Sequence, residues 1–438
     1  MPDVATLMRP GTLSLPALPP LSLYVHFPWC VRKCPYCDFN SHEPDAGGIP
    51  EAAYLDALAA DIEAALPLVW GRPVVSVFIG GGTPSLMSAA GVERLLSDVR
   101  ARLPLEAGCE ITLEANPGTF EAERFEAYRS AGVNRLSIGV QSFDPARLAA
   151  LGRIHDRAQA EAAAELARRV FDNFNLDLMF GLPSQSLEDA QADVEAALRF
   201  APPHLSLYQL TLEPNTVFAK YPPAVPDDDA VAGMQEWIEA RAARSGYGRY
   251  EVSAYARPGR ECRHNLNYWR FGDYVGVGAG AHSKISFPHR IVRQVRFRQP
   301  ASYLERAARG EFLAEHVEVG RADLPFEFML NALRLSEGVP ARLFGERTGL
   351  PASAIESALQ QAEQRGLLER DHARIRPTEL GRRFLTDLQV LFLPADLEPH
   401  VLDQIGHDRA ERPEQRQVLA EQRALVLRAA HQGRHRGD

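Results

Sequence analysis

The sequence lacks a secretory signal, a membrane-length apolar run and a disulfide framework. Its first twenty residues carry five prolines, without the basic start, apolar stretch and small-residue cleavage site of a signal peptide. No apolar run approaches the roughly 20 residues that a membrane-spanning helix needs. Only five cysteines occur among 438 residues, and three of them cluster at metal-ligand spacing. Together these absences predict a protein of the reducing cytoplasm.

Positive charge is also in short supply, and lysine is nearly absent. Lysine and arginine total 48 against 57 acidic residues, which gives a formal net charge of −9. General nucleic-acid binding leaves a basic footprint on the protein. The composition therefore predicts no nucleic-acid partner. Hydrophobic residues make up 45% of the chain, which is ample for a large core.

From Leu21 to about Ser245, short apolar runs alternate with stretches of helical period. Six strand–helix units in a row predict a parallel sheet with right-handed crossovers, either barrel-like or doubly wound. The predicted strands are Leu23–Phe27, Val74–Ile79, Glu110–Leu113, Arg135–Val140, Leu176–Phe180 and Leu205–Leu210. The predicted helices are Glu51–Leu66, Ala90–Leu103, Ala122–Ala131, Ala158–Val170, Leu187–Phe200 and Asp227–Ser245.

Polar and glycine residues recur where the predicted strands end. Gly80–Thr83 follow the second strand, Glu114 the third, Gln141 the fourth and Gly181 the fifth. A doubly wound sheet would concentrate such residues at one switch point, whereas a barrel surrounds its site with strand ends. We therefore expect an α/β fold built as a partial barrel of six strand–helix units.

The first predicted strand runs into a C-x3-C-x2-C motif, Cys30, Cys34 and Cys37. Four thiolates usually hold a [4Fe–4S] cluster, so three leave one iron open to another ligand. The alternative is a structural zinc site with His26 or His42 as fourth ligand. Zinc modules usually pair their ligands in two separated knuckles, and the second knuckle is missing here. The spacing therefore favours the cluster.

The glycine triplet and the polar strand ends each have two interpretations. Gly80–Gly82 form either a tight strand–helix turn or a loop whose backbone approaches an amino-acid-like ligand. Glu114 and Asp177 are carboxylates in a buried setting and need partners. Those partners are either ligand hydroxyl or ammonium groups or a structural arginine. Gln141 is likewise a ligand contact or a satisfied interior amide.

Together these motifs resemble the radical S-adenosylmethionine (SAM) superfamily and, within it, its coproporphyrinogen dehydrogenase-like branch. The resemblance rests on Tyr24–Cys30, Gly80–Pro84, Ser137–Phe143 and Asp177–Pro183, and it extends from about Leu21 to about Leu393. It implies a radical SAM barrel, a [4Fe–4S] cluster on the three cysteines, and SAM that is reductively cleaved. The implied SAM-binding residues are Tyr24, Tyr36 beside the adenine, Gly81, Gly82, Thr83, Glu114, Gln141, Arg153 and Asp177.

Two positions separate the dehydrogenases of this branch from its haem chaperones. The dehydrogenases carry a further cysteine two residues beyond the third ligand, where this chain has Phe39. The run His264–Trp269 matches the H-N-x-x-Y-W signature of the haem-binding members, although a histidine in a polar loop is ordinarily just hydrogen-bonded. The resemblance thus implies haem binding through His264, Tyr268 and Trp269.

The implied function is a haem chaperone that takes haem from a donor and transfers it to apo-haemoproteins such as respiratory cytochromes. The alternative is an oxygen-independent coproporphyrinogen III dehydrogenase that converts two propionates to vinyl groups. The sequence leaves two further partners undecided, a second copy of the chain in a homodimer and a peripheral membrane contact through the acceptors.

The expected organisation has five parts. Segment 1–20 is a flexible N-terminal segment, 21–245 the barrel, 246–321 an extension with the haem-binding motif, 322–393 a winged-helix-like domain, and 394–438 a polar tail. A winged helix raises the question of DNA binding. The predicted helix Ala352–Gln364 has no basic face for phosphate contacts, so we expect this domain either to pack on the barrel or to cover its opening.

Overall fold

The computed structural model describes residues 11–118 and 122–394, which form a twelve-stranded sheet, a three-stranded sheet and helices. The first half of the large sheet comprises β1 (Leu21–Phe27), β2 (Val74–Gly81), β3 (Leu105–Ala115), β4 (Arg135–Gln141), β5 (Phe174–Phe180) and β6 (His204–Gln209). The second half comprises β7 (Gly248–Arg249), β8 (Ala254–Ala256), β9 (Asp273–Val277), β10 (His282–Phe287), β11 (Arg290–Arg296) and β12 (Leu313–Glu318).

Strands β1 to β6 lie side by side in chain order, each parallel to the next, and β9 pairs in parallel with the other edge of β1. A doubly wound sheet reverses its strand order at a switch point. An unreversed order with right-handed crossovers instead puts the helices on one face and curls the sheet around the other. The predicted partial barrel of six strand–helix units is confirmed.

The helices that follow the strands begin and end close to the predicted limits. The Arg157–Val170 helix buries Ala160, Ala163, Ala164 and Ala167, the spacing of one helical face, and Asp156 caps its N-terminus. Small alanines on that face let the helix pack closely on the sheet. The long helices of the barrel are Glu51–Val69, Ala89–Arg102, Ala122–Ala131, Arg157–Val170, Leu187–Arg199 and Asp228–Arg244. Shorter ones are Pro145–Ala150, Val217–Lys220, Arg263–Trp269 and Pro300–Ala307.

Side chains alternate along each barrel strand between an apolar outer face and a polar interior. On β3, Ile111 and Leu113 are buried in the core with the helices, while Glu110, Thr112 and Glu114 have the opposite parity and point inward. The side chains that β3 contributes to the interior are therefore polar. They provide the donors and acceptors from which a ligand site can be built.

The extension, predicted only as a segment, adds strands at both edges of the barrel sheet. β10, β11 and β12 continue from β9 in antiparallel order, and β8 and β7 follow β6. A buried ion pair between Asp61 and Arg296 (3.1 Å) connects strand β11 to the Glu51–Val69 helix. Strands β9 and β10 were not predicted, because the glycines at 276, 278 and 280 indicate a turn rather than a strand.

The C-terminal part contains the helices Leu324–Ala332, Leu343–Thr348, Glu356–Gln364, Glu379–Arg383 and Leu385–Val390. Its small sheet has the order β13 (Val339–Pro340), β15 (Arg374–Pro377), β14 (Leu368–Arg370). The Glu356–Gln364 helix contains no lysine or arginine. The core of this part includes Phe271 and Ile291 from the extension, so it packs on the extension.

The two ends of the chain are only partly described. Of the N-terminal segment predicted to be flexible, residues 1–10 lie outside the described ranges. Residues 11–20 are packed, since Leu13 N donates to His289 O (3.1 Å) and Leu15 N to Pro288 O (2.8 Å). Of the predicted polar tail, residues 395–438 also lie outside. No helix within 11–118 or 122–394 is long and apolar enough to cross a bilayer.

Candidate cofactor and ligand site

The cysteine loop follows β1 and is tied to the barrel by backbone hydrogen bonds. Cys30 N donates to His42 O (2.9 Å), and His42 N donates to Pro28 O (2.7 Å). Thr83, after the glycine triplet, donates its N–H to Trp29 O (2.7 Å). The loop therefore has a fixed position at the carboxyl ends of β1 and β2, where ligands of parallel α/β folds bind.

The three thiols are half-buried and each meets a polar partner. Thr83 Oγ1 lies 3.4 Å from Cys30 Sγ, Arg153 Nη1 lies 3.7 Å from Cys34 Sγ, and Ser41 Oγ lies 3.9 Å from Cys37 Sγ. Three soft thiolates on one loop fit a [4Fe–4S] cluster with one open iron.

Neither histidine of the zinc alternative is placed as a ligand. His26 Nδ1 is bonded to Tyr24 Oη (2.9 Å) and its Nε2 to Asn40 O (2.8 Å), so both ring nitrogens are occupied. His42 Nε2 is bonded to Asn40 Oδ1 (3.0 Å). No group of three His, Cys, Asp or Glu side chains in the described part of the chain is arranged to hold a single metal ion.

The glycine loop lies directly against the cysteine loop. Gly82 N donates to Phe27 O (2.7 Å), and a Cβ on Gly82 would lie 2.5 Å from Trp29 O. Gly81 has φ +116°, a conformation that only glycine adopts without strain. Both positions therefore need glycine. Without side chains at these positions, the His26 ring and the Trp29 backbone pack directly against the glycine loop.

Two carboxyl groups lie in the barrel interior next to this loop. Glu114 Oε2 accepts from Gly81 N (3.1 Å), and Asp177 accepts from Ser137 Oγ (2.9 Å) and Asn175 Nδ2 (2.7 Å). Burial, reinforced by the charge of Asp177, raises the pKa of Glu114 from 4.5 to about 8. Burial also raises the pKa of Asp177. Without a ligand, Glu114 therefore holds its proton near neutral pH.

The raised pKa of Glu114 predicts how stability depends on pH. The stability linked to this carboxyl is fully present below its unfolded-state pKa and is lost as the pH rises through about 8. A Glu114→Gln variant cannot ionise, so it is expected to gain stability relative to wild type between about pH 5 and about pH 9. Thermal unfolding of both proteins across this range, without added SAM, measures the gain. A stability difference that does not change with pH would contradict the assignment.

Arg153 and Asn116 join the strand ends to the cysteine loop. Arg153 Nη2 donates to Asn116 Oδ1 (2.5 Å) and Gly139 O (2.6 Å), while Asn116 Nδ2 donates to Thr83 Oγ1 (3.0 Å). Arg153, one of the SAM-binding residues that the resemblance implies, thus contacts the cysteine loop directly. Asn116 was not among the predicted site residues. The sequence pattern could have identified it, since Asn116 is a polar residue two positions after Glu114 at the end of a strand.

Gln141 and Tyr36 lie at two further places around the barrel mouth. Gln141 has φ +66°, which is rare for a residue with a side chain and recurs at functional sites. Tyr36 packs its ring on Phe218 (6.4 Å between centroids) beside the segments that follow β5 and β6. Both residues therefore border the mouth, as a SAM-binding role requires, and that role stays a prediction.

An open cavity of about 350 Å³ lies beside the glycine loop. Phe39 forms part of its rim and is 64% exposed, which is unusual for a large apolar side chain. The cavity brings together residues of the predicted SAM and haem sets with residues of the extension. Its lining is Tyr24, His26, Asp38, Phe39, Asn40, Gly81, Glu114, Tyr268, Tyr274, Gly280, His282 and Arg298.

Of the predicted haem-binding residues, His264 lies at the bottom of the barrel. It belongs to the Arg263–Trp269 helix, whose N-terminal N–H groups donate to Glu110 Oε1, so the motif is helical rather than a loop. The His264 ring is 2% exposed, its Nδ1 is bonded to Ser76 Oγ (3.0 Å), and it stacks on Phe78. Burial lowers its pKa to about 3.

The other two predicted haem-binding residues, Tyr268 and Trp269, lie in different surroundings. Tyr268 lies one helical turn after His264, contacts its ring edge-on (4.9 Å between centroids) and lines the cavity. Trp269 instead packs on the C-terminal core, with the Arg334 guanidinium 4.4 Å from its ring centroid. The structure thus brings one of the three predicted haem contacts to the cavity.

Comparison with known families matches two regions of the chain. Residues 24–197 match the radical SAM superfamily, and residues 319–384 match the HemN C-terminal domain. The fold also resembles a solved structure, the coproporphyrinogen III oxidase HemN of Escherichia coli, a radical SAM enzyme. The two align with a TM-score of 0.74 and 23% identity, covering 90% of this chain and 99% of HemN. At that identity the likeness establishes the fold alone.

Sequence relatives are much more similar. The heme chaperone HemW of Escherichia coli K12 is 50% identical over 378 residues, which is 86% of this chain and 99% of the relative. The heme chaperone HemW of Haemophilus influenzae is 49% identical over 385 residues. A mouse protein, the mitochondrial radical S-adenosyl methionine domain-containing protein 1, is 35% identical over 387 residues, 85% of this chain and 87% of the relative.

Proposed function

We propose that this chain, which belongs to the radical SAM superfamily and within it to the family of the heme chaperone HemW, binds haem and transfers it to apo-haemoproteins. The observation that carries the proposal is the cavity beside the cluster loop, with exposed Phe39 on its rim. An exposed aromatic face at an open cavity suits a flat, apolar macrocycle.

Membership of the radical SAM superfamily implies a [4Fe–4S] cluster and SAM, and the residues present fit both. Cys30, Cys34 and Cys37 would hold the cluster, which when bound supplies an electron for reductive cleavage of SAM. Gly81 and Gly82 are partly exposed beside the cysteine loop, where they would meet the amino-acid end of SAM, and Gly82 is fixed by the hydrogen bond from its N–H to Phe27 O. The remaining predicted SAM contacts are Tyr24, Tyr36, Thr83, Glu114, Gln141, Arg153 and Asp177.

In the proposed complex, haem lies in the cavity between the cysteine loop and the extension. Phe39, Tyr268 and Tyr274 give it aromatic surface, while exposed Arg298 can pair with a propionate. Asp38 is the exposed carboxylate of the lining and would repel a propionate. The propionates are therefore expected on the Arg298 side. The roles of His264 and Trp269 in haem binding stay predictions.

The alternative function, coproporphyrinogen dehydrogenation, is disfavoured. The position that carries a further cysteine in the dehydrogenases is Phe39 here, so no thiol is available at that point. The relatives that are 37–50% identical carry the name heme chaperone HemW. Likeness to the oxidase is limited to the fold.

One anaerobic experiment separates the two functions. The reconstituted full-length chain is titrated with haemin and, separately, incubated with coproporphyrinogen III, SAM and a reductant. We expect a saturable Soret band in the first reaction and no protoporphyrinogen in the second. Formation of protoporphyrinogen, or failure to bind haemin, would overturn the proposal.

Phe39 offers a sharper test of where haem binds. Phe39→Ala removes the exposed aromatic face and is expected to weaken haemin binding about ten-fold, on the order of 1.4 kcal/mol. Trp70→Ala is the matched control, because Trp70 is an aromatic side chain that is 81% exposed and outside the cavity lining. Equal effects of the two substitutions on the haemin titration would argue against this cavity.

The proposed acceptors are apo-haemoproteins such as respiratory cytochromes, and the proposed place of transfer is the cytoplasm. A haem donor, a homodimer and a membrane contact through the acceptors are further proposals of the same kind. Co-purification of haem-loaded chain with an apo-cytochrome, set against haem-free chain, tests the acceptor.

A further inference from the structure

We propose that His282 supplies the axial nitrogen ligand to haem iron in this cavity. The inference rests on the proposed haem-binding function and goes beyond it by assigning the iron ligand to a residue outside the H-N-x-x-Y-W motif. His282 is the first residue of β10 and lines the cavity. It brings an imidazole to the opening where Phe39 and Arg298 are exposed.

His282 differs from His26, the other histidine of the cavity lining, in having a ring nitrogen that is free to bind iron. An axial ligand needs a ring nitrogen with a free lone pair and space for a macrocycle in front of it. His26 fails the first condition, since Tyr24 Oη and Asn40 O occupy both of its nitrogens. The exposed His282 ring makes no side-chain hydrogen bond to any residue in the described ranges.

His264 fails the second condition. Its Nε2 has no hydrogen-bond partner in the described part of the chain, but the atom is buried in the barrel. Phe78 and Tyr268 enclose the ring, with centroids 5.0 and 4.9 Å away. A macrocycle could reach that nitrogen only if the helix left the barrel. The geometry fits a positioning role, in which His264 supports the ring of Tyr268 at the cavity floor.

The surroundings of His282 favour a neutral imidazole, and they place positive charge where the haem propionates would lie. Partial desolvation of the ring by the cavity walls, together with the positive charges of Arg293 and Arg298, lowers the pKa of His282, which keeps the lone pair free at neutral pH. Tyr274 and Tyr268 pack edge-on (4.3 Å between centroids) beside it in the lining. Arg298 is held near the cysteine loop because its carbonyl accepts from Asn40 Nδ2 (2.9 Å).

The test compares haemin complexes of the anaerobically reconstituted full-length chain carrying His282→Ala, His264→Ala or His372→Ala. His372 is an exposed histidine between β14 and β15, outside the cavity lining, and serves as the matched control. Resonance Raman and electron paramagnetic resonance report whether iron carries an imidazole, and the Soret titration gives the affinity.

We expect His282→Ala to lose the imidazole-ligated signature and to bind haemin at least about ten-fold more weakly. Added free imidazole should restore the signature, because the substitution leaves a gap at the iron. His264→Ala and His372→Ala should keep the wild-type signature. Retention of that signature by His282→Ala, or its loss in His264→Ala alone, would overturn the assignment. Wild-type chain that binds no haemin would instead overturn the proposed function itself.

Discussion

A Cys34→Ala variant is expected to lose its iron–sulfur cluster. Wild-type chain reconstituted under anaerobic conditions should carry about four iron and about four sulfide ions per chain. With one of three thiolates removed, the cluster would keep two protein ligands, and the variant should retain well under half of that iron. Iron and sulfide analysis, with the broad absorbance near 400 nm as a second readout, measures the loss.

Cys109→Ala is the matched control for this substitution. Cys109 is also a free cysteine, but it is buried on β3 away from the loop. Its substitution should leave the iron content unchanged. If Cys34→Ala kept its iron, or if Cys109→Ala lost it, the three-cysteine loop would not be the cluster site.

The second large effect is expected from the buried carboxylate of Asp61. This carboxylate is fully buried and accepts from Arg296 (3.1 Å), Tyr303 Oη (2.9 Å) and Gly278 N (3.1 Å). Asp61→Ala leaves the buried Arg296 charge without its carboxylate partner, although Ser283 Oγ (2.9 Å) and Gln294 Oε1 (3.1 Å) still accept hydrogen bonds from it. Breaking such a pair costs about 3–5 kcal/mol, so the free energy of unfolding should fall by that order. Urea denaturation of the full-length chain measures the change.

Asp56→Ala on the same helix is the control for Asp61→Ala. Asp56 is exposed and forms a surface ion pair with Arg94. Surface pairs of this kind contribute roughly 0–1 kcal/mol, so the urea midpoint should scarcely move. Equal destabilisation by the two substitutions would show that Arg296 finds other partners when Asp61 is absent.

The barrel was predictable from the sequence because its signals are local. Each parallel strand is a short apolar run followed by a polar or glycine-rich end, and the order of those ends gives the order of the strands. Glu114 could be placed near the cysteines for the same reason, whereas Arg153 was expected there only from the family resemblance. Asn116 was within reach of that reasoning, as it lies at the end of β3.

The cavity was not predictable, because its walls are far apart in the sequence. Asn40 Nδ2 donates to Ala279 O and Arg298 O, each 2.9 Å away, and these contacts place the extension beside the cysteine loop. No local pattern at Asn40 encodes contacts with residues more than two hundred positions away. The burial of His264 has the same origin, since its helix is held by Glu110 from β3.

Haem delivery is tested most directly by the rate of haem transfer from the loaded full-length chain to the apo-form of a b-type cytochrome. If the chain hands haem over in a complex with its acceptor, the observed rate constant should rise with acceptor concentration and exceed the rate of spontaneous haem loss. A rate constant that stays at the spontaneous value, whatever the acceptor concentration, would contradict a chaperone function.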